Sequence, residues 1–247
     1  MNNSGQTQIQ LPHLTKVNKI LIIAVGSIFI LQSLLSKALG INLMIVFGLS
    51  ANLFFKGLVY QLLSYPFLAT GLMEVIFGGL ILWFLGSELE SSWGTKRYLS
   101  FMGVSYVGAG LVYLFISSLF FKNNLIYSYP LIGLQGITNA MCLAYGIIYP
   151  NRTFLFMLIF PMKTKYFCAL LVLIQVYMGV IESNSVNGVL AWGHLAAMLF
   201  GFLYLLTISS RSFKDLMDKL KKRKSTAKLT VLYGEKKSED KTPKYWQ

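Results

Sequence analysis

Gly133-Leu134-Gln135-Gly136 heads an apolar run that carries no charged residue until Arg152. Read as helix, Gly133, Gly136, Ala140 and Ala144 fall at i, i+3, i+7 and i+11. They make a stripe without bulk, along which a second helix backbone can come close. Gln135, Asn139 and Cys142 run beside it at i, i+4 and i+7. A similar stripe lies far along the chain, where Gly193, Ala197 and Gly201 repeat every four residues and His194 sits at the head. A polar side chain in apolar surroundings needs a partner. Two close-packing stripes, each headed by one such group, predict two helices meeting over a polar site.

The surroundings of these stripes are those of a membrane. Hydrophobic residues make up 55% of the 247, and the mean hydropathy is +0.60. No charged residue lies between Arg97 and Lys122, between Lys122 and Arg152, or between Lys165 and Glu182. Between Glu182 and Arg211 the only titratable side chains are His194 and Tyr204. Each gap is near the roughly 20 residues that a spanning helix requires. The runs are continuous rather than alternating, which argues against a β-barrel. The fold class expected is all-α, a polytopic membrane protein.

The formal charge of +13 is not spread along the chain. Residues 211–247 hold 12 Lys/Arg against 5 Asp/Glu. That is the pattern of a solvated cytoplasmic tail near anionic lipid, not of a nucleic-acid-binding surface. Cys142 and Cys168 both lie in apolar runs, so neither a disulfide framework nor a zinc site is expected. Glu74 and His194 are the only pair of candidate ligands, too few for a metal site, and no cofactor is expected. The polar first 15 residues lack the basic lead into a short apolar core that marks a cleaved signal, and the first helix is expected to act as its own anchor.

Three regions are expected: a mobile N-terminal arm over 1–15, a membrane domain over 16–210 and a basic cytoplasmic tail over 211–247. Spans are placed at about 17–36, 67–89, 98–120, 131–149, 165–181 and 189–209. Residues 38–55 are uncharged but interrupted by Gly40, Asn42, Gly48, Ser50 and Asn52. An interfacial loop with short amphipathic pieces is expected there, with a further span as the alternative. Residues 153–160 are apolar but short, and Pro161 stops them. Six spans put both termini on one side. That side holds Lys16, Lys19, Lys96, Arg97, Arg152, Lys163, Lys165 and the tail, whereas Lys37, Lys56 and Lys122 fall on the other. By the positive-inside rule both termini are expected in the cytoplasm.

These residues resemble the rhomboid family of intramembrane serine proteases. Leu58-Val59-Tyr60-Gln61-Leu62-Leu63-Ser64-Tyr65-Pro66-Phe67-Leu68 looks like the approach to the family's second helix. Phe84-Leu85-Gly86-Ser87-Glu88-Leu89-Glu90, followed by Trp93-Gly94-Thr95-Lys96-Arg97-Tyr98-Leu99, looks like the turn after it. Gly133-Leu134-Gln135-Gly136 stands where the family has Gly-x-Ser-Gly. His194-Leu195-Ala196-Ala197-Met198-Leu199-Phe200-Gly201 is similar to the last-helix His-x-x-Gly-x-x-x-Gly, with Ala197 for the first glycine. The resemblance covers about residues 40–208 and implies a six-transmembrane-helix rhomboid-like bundle.

It also implies a protease site, from which this chain departs. In the family a serine on the fourth helix attacks the peptide bond, a histidine on the sixth takes its proton, and a His-x-x-x-Asn on the second helps to hold the oxyanion. Here the serine position is Gln135, whose amide is no nucleophile. The second-helix positions are Glu74 and Gly78, a carboxylate that would repel an oxyanion and a residue with no side-chain donor. Only His194 remains. Thr138 lies roughly 4.5 Å further along the helix axis, too far for a histidine placed to serve position 135. The resemblance therefore implies a vestigial site of Gln135, His194, Glu74 and Gly78, with no catalytic residue. Gly133, Gly136, Gly193, Ala197 and Gly201 form the packing stripes around it, where a substrate would bind. Gln135 and His194 also read as plain interhelical hydrogen-bonding residues, and the glycines as plain packing. The inactive members of the family imply a pseudoprotease whose partners are transmembrane segments of client proteins. The rival reading is an active intramembrane serine-type endopeptidase with an unconventional nucleophile.

Overall fold

A computed structural model describes residues 13–121, 125–156 and 160–225, with backbone alone for 154–156, 160–161 and 208–225. The arm over residues 1–12, Lys122 and the tail from 226 onwards lie outside the described residues. The fold is all-α apart from one small hairpin. Among the described residues, five helices are long and apolar enough to cross a membrane: Lys16–Leu39, Leu72–Trp93, Thr95–Phe120, Thr164–Ile181 and Val186–Thr207. By packing, one unit runs to Thr207 and a second begins at Ile208.

Helix α1 (Lys16–Leu39) ends where Gly40 turns left-handed at φ 66° and donates its N–H to the Leu35 carbonyl. Next come α2 (Leu43–Phe47), α3 (Ala51–Phe54) and α4 (Gln61–Ser64). Asn42 caps α2 by accepting from the Met44 N–H at 3.0 Å. None of these pieces approaches the roughly 20 residues of a span, so residues 38–55 are a loop of short helices, in keeping with the breakers in its sequence. Gln61 holds the loop together. Its side chain donates to the Val46 carbonyl at 3.0 Å and accepts from the Ser50 N–H at 3.3 Å.

The second spanning segment is built from α5 (Leu72–Ile81), a π-helical stretch Leu82–Gly86, and α6 (Ser87–Trp93). Gly94, at φ +82°, makes the sharp turn into α7 (Thr95–Phe120). Helix α8 (Gln135–Ile148) follows. Strands β1 (Thr153–Phe156) and β2 (Phe160–Lys163) pair antiparallel, with Thr153 opposite Lys163. They lead into α9 (Thr164–Ile181) and α10 (Val186–Ser225). The last helix therefore continues past residue 209, where its apolar run ends.

The fourth span differs from expectation. Helix α8 has 14 residues, about 21 Å at 1.5 Å per residue, which falls short of a bilayer core of roughly 30 Å. Residues 131–134, expected in the helix, are instead used in an extended bridge and a turn. A short helix of this kind survives in a membrane because protein surrounds it. Ile137 through Cys142 are all buried. The outer helices show the reverse pattern. Ile20, Ile30 and Leu34 on α1 and Leu173 and Tyr177 on α9 are all more than half exposed, as hydrocarbon-facing residues are.

Packing inside relies on small residues and polar links, because lipid gives no hydrophobic drive to helix association. A Cβ on Gly201 would sit 3.3 Å from Ala140 Cβ and 3.0 Å from the Phe101 ring. Asn18 on α1 donates to Glu90 Oε2 at 3.1 Å and accepts from the Tyr98 hydroxyl at 2.6 Å. Thr95 occupies the other Glu90 oxygen at 2.9 Å. Glu88 pairs with Arg152 and accepts from the Tyr145 hydroxyl at 2.8 Å, which ties the end of α8 to α6. Partial burial of Arg152 works against its charge, but the bonds to Tyr145 and Glu88 prevail and hold its pKa above the usual guanidinium value.

Candidate functional site

The site is built on the entry to α8. Leu131 exchanges both backbone hydrogen bonds with Leu49, at 2.8 and 2.9 Å, in an isolated antiparallel bridge. Gly133 donates its N–H to the Tyr65 carbonyl at 2.9 Å. Its φ of +94° is open to glycine and strained for other L-residues. Gly133 is therefore not the first member of a helical stripe but the pivot of a turn. Leu134 caps the helix and Gln135 is its first residue, so the backbone N–H groups of the first turn have no helical carbonyl to meet.

Helix α5 brings Glu74 and Gly78 to this turn, one above the other at i and i+4. The Glu74 carboxylate fills the space where a side chain on Gly133 would go. A Cβ on Gly78 would lie 4.0 Å from Leu134 Cδ1. Glu74 is partly buried, and its Oε2 accepts from the Thr70 N–H at 2.8 Å and the Thr70 hydroxyl at 2.7 Å. It thus ties Thr70, the residue ahead of the Gly71 N-cap, to the first turn of the helix. Nothing in sequence spacing singled out Thr70, because Thr-x-x-x-Glu is one residue longer than the Thr-x-x-Glu of a capping box. Tyr65 and Leu49 were also missed, since both act through backbone groups.

From the other side α10 supplies His194, which is 9% exposed. Its Cδ2 lies 3.6 Å, and Ala197 Cβ 3.3 Å, from where a Cβ on Gly136 would stand. The close approach read from Gly136, Ala140, Ala197 and Gly201 is thus made by these residues. Gly193 faces Leu131 and Tyr113, each 3.7 Å from its Cβ position. Gln135, Glu74, Gly78 and His194 all border the 133–136 turn. No hydrogen bond joins Glu74, Gln135 and His194 among the described residues. Gln135 is exposed at the mouth of the turn.

Thr138 and Cys142, further along α8, are both buried. Thr138 is 4% exposed, and its hydroxyl donates to the Gln135 carbonyl at 3.1 Å. Cys142 is 1% exposed, and its carbonyl accepts from the Cys168 thiol at 2.8 Å. Asn139 is buried as well, and its Nδ2 has no partner among the described residues.

The arrangement is a glycine turn at the head of a short buried helix, with a histidine from the last helix beside it. It coincides with a match to the model of the rhomboid domain over residues 56–211. The chain belongs to the rhomboid family. No curated protein matches it. The matched region of this rhomboid runs from the loop ahead of α4 into α10 and includes every residue of the turn. Helix α1 lies outside the match.

Proposed function

We propose that this rhomboid is a pseudoprotease that binds transmembrane segments of client proteins. One observation carries the reading. The residue that opens α8 beside His194 is Gln135, and an amide supplies no nucleophile. The nearest alternatives do not replace it. The Thr138 hydroxyl is bonded back to its own helix, and the Cys142 thiol is enclosed. On the second helix, Glu74 lies against the turn where an oxyanion donor would be needed, and its negative charge opposes an oxyanion. A base without a nucleophile or an oxyanion hole leaves a membrane-embedded helix surface that can hold a transmembrane segment but not cut it.

The test uses the purified full chain in lipid nanodiscs with a fluorogenic transmembrane substrate and a fluorophosphonate probe. Neither turnover nor labelling is expected. Gln135→Ser should remain poor, because loss of a single oxyanion donor costs about 100- to 1000-fold. Turnover by the natural chain that Thr138→Ala abolishes would establish the rival reading of an unconventional peptidase. Client binding is checked separately, by site-specific photocrosslinking from position 135 to transmembrane segments in native membranes.

A further inference from the structure

A groove runs between α8 and α9, away from the 133–136 turn. It is an open-sided groove of about 550 Å³, lined by Leu143 and Ile147 on one helix and by Cys168, Val172 and Val176 on the other. That volume is within the range of small-molecule pockets, and the wall is almost wholly apolar. The one charged residue is Lys165, at the end where α9 begins. Its Nζ lies 4.9 Å from the Tyr166 ring. Gly146 leaves a notch into which the Cys168 thiol packs, and that thiol donates to the Cys142 carbonyl, so α8 and α9 are in contact there.

We infer that this groove binds one anionic phospholipid, with an acyl chain between α8 and α9 and the headgroup phosphate at Lys165. Three observations commit the groove to that occupant. From Lys165 to Val176 the helix rises about 16 Å, close to the roughly 15 Å of one leaflet's hydrocarbon. Apart from Lys165 the lining is almost wholly apolar, as an acyl chain requires. The charge sits at one end only, as an amphiphile with an anionic head requires. Lys165 shares that end with Lys163 and Arg152, but Arg152 is already paired with Glu88. Of the two that remain, Lys165 lines the groove. A membrane leaflet rich in anionic lipid attracts such a lysine by about 1 kcal/mol, or about five-fold in occupancy. The inference is independent of whether the 133–136 turn has any activity.

The experiment reconstitutes the full chain in nanodiscs containing trace phosphatidylglycerol with a diazirine on its acyl chain. Labelled peptides are mapped by mass spectrometry, and unlabelled phosphatidylglycerol or phosphatidylcholine is the competitor. Labelling is expected in peptides 143–147 and 165–176, with phosphatidylglycerol competing about five-fold better. Lys165→Gln should remove that preference while leaving acyl labelling in place. Lys56→Gln, far from the groove, should change neither. Ala169→Trp, or Leu173→Trp should the first variant misfold, fills the groove from an exposed position and should suppress labelling by both lipids. Equal competition by the two lipids, or a preference that survives Lys165→Gln, overturns the headgroup assignment. Labelling that survives groove filling, or crosslinks from a photoreactive residue at 169 mainly to a second copy or another protein, overturns the site.

Discussion

At the scale of single residues, the 133–136 turn sorts its side chains by what each one bonds. Gln135 is exposed and its side chain has no bonded partner among the described residues. Glu74 holds Thr70 through two bonds and occupies the space over Gly133. Gly133 is held at φ +94° with that carboxylate against it. The three alanine substitutions should therefore rank in a fixed order when unfolding is followed in mild detergent. Gln135→Ala should stay within about 0.5 kcal/mol, as unbonded surface positions do. Glu74→Ala should cost about 1 kcal/mol, the usual net worth of a hydrogen bond. Gly133→Ala should cost most, about 1–2 kcal/mol for the left-handed backbone alone, with displacement of Glu74 added. If Gln135→Ala proved worse than Glu74→Ala, the amide would have a structural bond of its own and the site would need rebuilding around it.

At the scale of elements, α1 is the least buried of the five candidate spanning helices among the described residues. Its buried residues are only Asn18, Val25 and Gln32, one every seven positions. Two of the three are polar, so hydrogen bonds rather than apolar packing fix the helix in place. Asn18 bonds Glu90 and Tyr98, and Gln32 donates to the Ala69 carbonyl. Asn18→Ala strips a partner from both a carboxylate and a phenol that are themselves buried, at about 1–3 kcal/mol. A double-mutant cycle with Tyr98→Phe, read from detergent-induced unfolding, should show coupling of about 0.6–1.7 kcal/mol. Strict additivity would mean that the Asn18–Tyr98 bond does not hold α1 to α7. The same element scale marks how far the sequence could be read. Charge-free runs located the spans, because charge is the costly quantity in hydrocarbon, and i, i+4 spacing placed Gly136 against Ala197. What stayed hidden were contacts between backbone groups distant in sequence. The Leu49–Leu131 bridge and the Gly133–Tyr65 bond leave no side-chain signature, and they are why α8 starts at Gln135 and not at 131. Glu74 was legible as an intramembrane carboxylate, but its bond to Thr70 was not, because His194 and Gln135 were the more conspicuous partners.

At the scale of the whole molecule, the cations are sorted between its two ends by the bonds already described. The Asn18–Glu90–Tyr98 cluster joins the start of α1 to the α6–α7 turn, bringing together Lys16, Lys19, Lys96 and Arg97. The Glu88–Arg152 pair joins the end of α8 to α6, and the Thr164 hydroxyl donates to the Arg152 carbonyl at 2.9 Å, adding Lys163 and Lys165. Lys37, near the end of α1, and Lys56, in the loop that follows, lie away from these clusters. Such asymmetry in short connections sets orientation in membranes, with the cation-rich end facing the cytoplasm. Reporters fused after residues 15, 95, 160 and 215 should therefore read as cytoplasmic. Fusions near residues 125 and 185 should read as the opposite side, which would also place the mouth of the 133–136 turn there. The short α8 does not alter this expectation, because a connection from one side to the other needs only the helix and the extended bridge ahead of it. Residues 38–55 are the sensitive point. Were they to cross the membrane, every reporter from 95 onwards would invert relative to residue 15. The observed short pieces α2 and α3 argue that they do not, and an inverted readout at residue 95 alone would be enough to discard the orientation.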